Sequence, residues 1–244
     1  MAPKIYRGNT SMSLINLQKE VEKVQIILKK KSNKNLQCNV AMNIDVSGSM
    51  QSLYDQGQVQ KLVERILPVA MSLDDNQTLD VWTFDDGFTK IKQVKEGNYD
   101  TFVEKAILKS GIKLWGSTNY APVLKDNFSH FVGNGGGGGI LGGLFSKKKE
   151  SNEGQTTIVF HVTDGENYDP RETTKLLETW AKDKTPIYLM FIGVGHANFS
   201  FIEQAADKYP NCGYTNVKNL TKAVGDDGFY DLLTPQEMID WLGA

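Results

Sequence analysis

The chain has 244 residues, long enough for one sizeable α/β domain whose core needs neither a disulfide nor a structural metal. Its 27 basic and 29 acidic residues leave a formal charge of −2, so no global field draws it to nucleic acid or an anionic membrane. No apolar run reaches the length of a membrane span, and Met1-Ala2-Pro3-Lys4 lacks the apolar core of a signal peptide, which points to a cytoplasmic protein.

Residues 1–12 read as a loosely ordered tail. Residues 13–31 predict a helix, because Leu14, Leu17, Val21, Val24 and Leu28 recur at alternating three- and four-residue spacing. Two heptads are too short for a free-standing coiled coil, and Ile15, Ile26 and Ile27 broaden the stripe. The helix therefore suits docking on a larger surface: its own domain, a partner helix, a second copy or an absent preceding domain. The run Lys29-Lys30-Lys31 complements the helix dipole at its C-terminal end. Residues 1–35 form an N-terminal tail and helix, and residues 36–244 form the main domain.

From there strands and helices alternate. Strands are expected near 38–45, 79–84, 90–94, 156–163, 187–194 and 214–217, and helices near 58–73, 99–108, 120–131, 171–183, 199–207 and 235–242. Asp85-Asp86-Gly87 predicts a hairpin turn, which makes 90–94 an antiparallel edge strand. The rest predicts a Rossmann-like α/β fold: a three-layer αβα sandwich with a mostly parallel central sheet, plus the N-terminal helix. Residues 133–153 read as a Gly-rich flexible loop that has no phosphate-loop spacing.

Three segments carry the chemistry. The first strand ends in Asp45-Val46-Ser47-Gly48-Ser49, an acid followed by two hydroxyls around a glycine turn. One carboxylate with neutral hydroxyls suits a hard divalent cation that keeps part of its water; Asp or Ser as an ordinary helix cap is the alternative. Gly116-Ser117-Thr118-Asn119 presents Thr118 on a loop, and 157–163 is a second apolar strand ending at Asp164-Gly165. If these two strands are parallel neighbours, Asp45 and Asp164 reach one sheet edge, where each raises the other's pKa unless a cation lies between them.

No catalytic constellation accompanies them. His130, His161 and His196 are scattered, and His161 reads as a core residue. Cys38 and Cys212 read as buried thiols of an intracellular protein rather than as a bridge. Glu166 and Asp169 could act as a base on metal-bound water, but read better as a solvated loop capping the helix after Pro170. The expectation is a protein that is not an enzyme.

The set Asp45-x-Ser47-x-Ser49, Thr118 and Asp164-Gly165 resembles the metal-ion-dependent adhesion site of von Willebrand factor A (vWA) domains, over roughly residues 36–244. More narrowly, Asn43 to Met50, Trp82-Thr83-Phe84 and Gly142-Gly143-Leu144-Phe145 are similar to the A domains of bacterial tellurium-resistance (TerF-like) and stress-response proteins. The resemblance implies that Ser47, Ser49 and Thr118 bind the metal directly. Asp45 and Asp164 would bind it directly or through water. The ion would be Mg²⁺, alternatively Mn²⁺ or Ca²⁺, and a protein partner's Asp or Glu would fill the open position. No nucleic-acid partner is implied. Ser117, Asn119, Glu166, Asn167 and Tyr168 would form the rim. The alternatives are an accessory domain of an ATP-driven or metal-dependent hydrolytic assembly, or a scaffold domain with a structural metal.

Overall fold

A computed structural model of the chain describes residues 14–133, 155–223 and 228–244. The tail at 1–12 and all but the first residue of the Gly-rich segment lie outside the described residues. In chain order the elements are α1 (Leu14–Lys31), β1 (Asn39–Asp45), α2 (Gln51–Asp55), α3 (Gln58–Leu73), β2 (Asp80–Phe84) and β3 (Phe88–Lys90). There follow α4 (Ala121–Phe131), β4 (Thr157–Thr163), α5 (Pro170–Lys182), β5 (Ile187–Val194), α6 (Ser200–Lys208) and β6 (Cys212–Val217). Three short helices, α7 (Leu220–Ala223), α8 (Phe229–Leu233) and α9 (Gln236–Leu242), close the chain.

The six strands form one sheet in the order β3-β2-β1-β4-β5-β6, parallel throughout except for the antiparallel β2–β3 pair at one edge. β1, β4 and β5 are buried along their whole length, as strands covered on both faces must be, and this explains their nearly continuous apolar sequences. Alternate residues feed two cores. Val40, Met42 and Ile44 of β1 join Ile158, Phe160 and Val162 of β4 against α1, α3, α8 and α9. Ala41, Val159, Leu189 and Phe191 face the opposite layer, with Val123 and Leu124 of α4, Leu177 and Trp180 of α5, and Ile202 of α6.

Order and register together place the site. The chain winds from β1 outward to β2 and β3, then crosses back to β4 on the other side of β1. The crevice at such a switch point, at the carboxyl ends of the strands, is where open α/β sheets place ligands. Ile44 pairs with Val162, so Asp45 leaves the sheet beside Thr163, with Asp164 the next residue at the same edge.

The structure shifts some expected elements. The edge strand is Phe88–Lys90 rather than 90–94, since the three-residue turn pairs Phe84 directly with Phe88; Val94 makes only an isolated bridge to Leu79. The expected helix at 99–108 is a 3₁₀ turn, Tyr99–Thr101, followed by the π-helical Val103–Leu108. The N-terminal helix packs on its own domain. Leu17, Val21, Val24 and Leu28 are buried, Ile26 is 53% exposed, and the apolar stripe is narrower than the sequence suggested. Glu20 ties α1 down: the Tyr230 hydroxyl donates to Glu20 Oε2 at 2.8 Å, and the Arg65 guanidinium pairs with the same oxygen.

Candidate metal centre

The five expected positions come from three loops at the carboxyl edge of the sheet. Asp45, the last residue of β1, is fully buried. Its Oδ1 accepts the Ser47 amide at 2.7 Å, its Oδ2 accepts the Thr163 hydroxyl at 2.6 Å, and its carbonyl accepts the Tyr54 hydroxyl at 3.0 Å. The glycine turn brings Ser47 Oγ and Ser49 Oγ to 3.1 Å from each other. Ser49 is exposed and donates its hydroxyl to Asp164 Oδ1 at 2.7 Å, which joins the first loop to the third.

Thr118, buried, enters from the second loop. That loop is pinned from both sides: the Trp115 amide donates to the Val46 carbonyl at 2.7 Å, and the Gly48 amide to the Gly116 carbonyl at 3.2 Å. The Tyr168 amide donates to the Thr118 carbonyl at 2.9 Å. A methyl group on Gly165 would stand 3.3 Å from Thr118 Oγ1 and 3.8 Å from Ser49 Oγ, so both hydroxyls border that glycine. Trp115 sits at φ +70°, a left-handed conformation costly for a bulky residue, with its ring edge-on to Tyr54 at 5.6 Å. A Cβ on Gly116 would overlap Asp85 Oδ2 and stand 2.7 Å from Asp86 Oδ1, so any larger residue there would displace those carboxylates.

The electrostatics suit a cation. Burial, opposed by the hydrogen bonds from Ser47 and Thr163 and reinforced by the charge of Asp164, raises the Asp45 pKa to about 6. Burial likewise raises that of Asp164. A buried carboxylate beside a second one is costly to ionise alone, and a divalent ion between them would remove that cost. Among the described residues no three His, Cys, Asp or Glu side chains gather as metal ligands. The donor set here is instead two carboxylates and three hydroxyls, hard oxygens of the kind Mg²⁺, Mn²⁺ and Ca²⁺ accept.

Around this centre Ser117, Glu166 and Tyr168 are exposed, Tyr168 by 69%. Asn119 and Asn167 are half-buried. Asn167 does not face the rim as expected: its Oδ1 accepts the Asp169 amide at 3.0 Å and its Nδ2 donates to Thr173 Oγ1 at 3.1 Å. Asp169 also differs from the sequence reading. Its carboxylate accepts the Tyr120 and Ala121 amides at 2.9 and 3.0 Å, capping α4 rather than the helix it precedes. His161 is a core residue, and both cysteines are buried free thiols. The supports from Thr163 and Tyr54 were missed from the sequence. The signal for Thr163 was available, since a parallel register pairing the two acid-terminated strands sets it beside Asp45.

Residues 37–244 match the family described as the vWA domain found in the TerF C terminus, and the chain belongs to that family. YcbR of Bacillus subtilis (strain 168), an uncharacterized protein, is 31% identical over 227 residues, covering 91% of this chain and 84% of its own. Solved structures share the fold at lower identity. Manganese-loaded TRAP protein of Plasmodium vivax aligns with a TM-score of 0.52 and 15% identity, over 83% of this chain and 74% of that one. Proximal thread matrix protein 1 of the mussel byssus, with a zinc-occupied adhesion-site motif, aligns with a TM-score of 0.50 and 19% identity, over 85% of this chain. This chain spans only 48% of that byssal protein's length, so the likeness concerns the domain and not the whole protein. No helix among the described residues is long and apolar enough to cross a membrane.

Proposed function

We propose that Asp45, Ser47, Ser49, Thr118 and Asp164 hold one divalent cation, Mg²⁺ with Mn²⁺ or Ca²⁺ as alternatives, and that the chain uses it to recognise a protein. The observation that carries this reading is the meeting of Ser47, Ser49 and Asp164 oxygens at 2.7 and 3.1 Å, beside the Thr118 hydroxyl. Bound there, the cation would supply an open coordination position for a partner's Asp or Glu. The chain's own residues do the rest. Thr163 and the Ser47 amide occupy both oxygens of Asp45 and so orient it, which favours contact with the ion through the remaining lone pairs or through water. Exposed Ser49 marks the face open to a partner, and Tyr168 and Glu166 flank it.

Recognition is favoured over hydrolysis by Asp169. One of two acids that could serve as a base for metal-bound water, it has both oxygens committed to backbone amides. Membership of the TerF-type family supports a setting in tellurium resistance or stress response, in a cytoplasmic bacterial complex. The test is capture of a partner from the source organism on immobilised protein. Retention in Mg²⁺, release by EDTA and loss in Asp45→Ala are expected; retention unaffected by EDTA contradicts the reading.

A further inference from the structure

The Thr118 and Asp164 loops lie far apart in sequence, yet their hydroxyl and carboxylate must be set within a few tenths of an ångström to share one ion. Asp169 links the two loops through its side chain. It lies five residues after Asp164, just ahead of Pro170, the first residue of α5. Its Oδ1 accepts the Tyr120 amide and its Oδ2 the Ala121 amide, both at the start of α4, where helix geometry leaves donors without acceptors. Tyr120 is two residues past Thr118. The carboxylate is itself fixed, because the Thr173 hydroxyl donates to Oδ1 at 2.9 Å and Asn167 in turn binds both Thr173 and the Asp169 amide. The Tyr120 hydroxyl completes the link by donating to the Gly165 carbonyl at 3.1 Å.

We infer that Asp169 is a positioning residue that sets the Thr118 hydroxyl against Ser49 and Asp164 before any cation arrives. The inference rests on the metal reading above. A carboxylate is required because two parallel amide donors face two acceptor oxygens. Asparagine keeps the shape but turns an NH₂ group toward one of those amides, opposing donor to donor. Such a fault leaves every proposed ligand in the chain and alters only where one of them sits.

The test is Mn²⁺ titration of wild type, Asp45→Ala, Asp169→Asn, Thr118→Ala and the Asp169→Asn/Thr118→Ala double variant, each at a temperature where thermal melts show it folded. Asp169→Asn is expected to weaken Mn²⁺ about tenfold, as loss of residues supporting a metal ligand commonly does. In the Thr118→Ala background the same change should have no further effect, since the ligand it positions is gone. A full additional loss in that background, or a lowered melting temperature with wild-type Mn²⁺ affinity, overturns the role. If Asp169→Asn does not fold, Thr173→Val removes only the hydroxyl steadying Oδ1. A smaller loss that vanishes with Thr118→Ala is then expected, and an additive one overturns the role. Wild type that binds no Mn²⁺ overturns the metal reading and this role together. Binding that is lost in Asp45→Ala but kept in Asp169→Asn overturns the positioning role alone.

Discussion

Stacked on Phe84 at 4.4 Å between ring centroids and edge-on to Tyr120 and Phe191, the His161 imidazole is fully buried, with Asn43 Nδ2 3.3 Å from its Nδ1. Burial pushes its pKa down to about 3. The folded state therefore keeps the ring neutral while the unfolded chain protonates it near 6.5. The stability this contributes is complete above pH 6.5 and is lost as pH falls from there toward 3, amounting to about 2 kcal/mol by pH 5. Asp45 acts with the opposite sign. Its raised pKa, about 6, makes the folded state the better proton acceptor, so its cost grows as pH rises from about 4 and is complete above 6. Subtracting the urea stability of His161→Phe from that of wild type cancels the Asp45 contribution. The difference should shift by about 2 kcal/mol against wild type between pH 7 and 5; a difference flat with pH would show that the ring titrates normally.

At the scale of elements, α1 is part of the fold. Leu17 and Val24 are buried in the core shared with α3, and Glu20 binds both Arg65 of α3 and Tyr230 of α8. Leu17→Ala should lower the unfolding free energy by about 2–4 kcal/mol, while exposed Gln18→Ala should stay within about 0.5 kcal/mol in the same denaturation series. Equal, small effects would mean that α1 detaches without loss. The three- and four-residue spacing of Leu17, Val21, Val24 and Leu28 made this helix legible, as apolar runs did for β1, β4 and β5. Other elements were hidden for identifiable reasons. Lys90-Ile91-Lys92 alternates like a strand, but the tight Asp85–Gly87 turn brings Phe88 into register first, so pairing is complete by Lys90. The π-helical Val103–Leu108 has no local signature, since the Lys109 amide reaching back to the Glu104 carbonyl follows from packing. At the site, the sequence offered three separate short segments, Asp45-x-Ser47-x-Ser49, the Thr118 loop and Asp164-Gly165, and their meeting at one edge follows from the register of β1 and β4. Asp169 and Asn167 were misread because their partners, Tyr120, Ala121 and Thr173, are chosen by the meeting of loops and not by neighbours in sequence.

For the whole molecule, topology does most of the functional placement. Strand order reverses between β1 and β4, and that crevice receives Asp45 from the end of β1, Asp164 from just past β4 and a hydroxyl from the loop before α4. Rigid strands fix the carboxylates, while hydrogen bonds among Trp115, Val46, Gly48, Gly116, Thr118 and Tyr168 hold the intervening loops. The chain then carries buried Asp45 close to half-buried Asp164 in a preset arrangement, whose ionisation an arriving cation would favour. Calorimetric titration of metal-stripped protein with Mg²⁺, Mn²⁺ and Ca²⁺, beside Asp45→Ala, tests this most directly. The account predicts saturable binding of one ion per chain, lost in a folded Asp45→Ala variant. Absence of binding at millimolar metal, or unchanged binding in the variant, would contradict it.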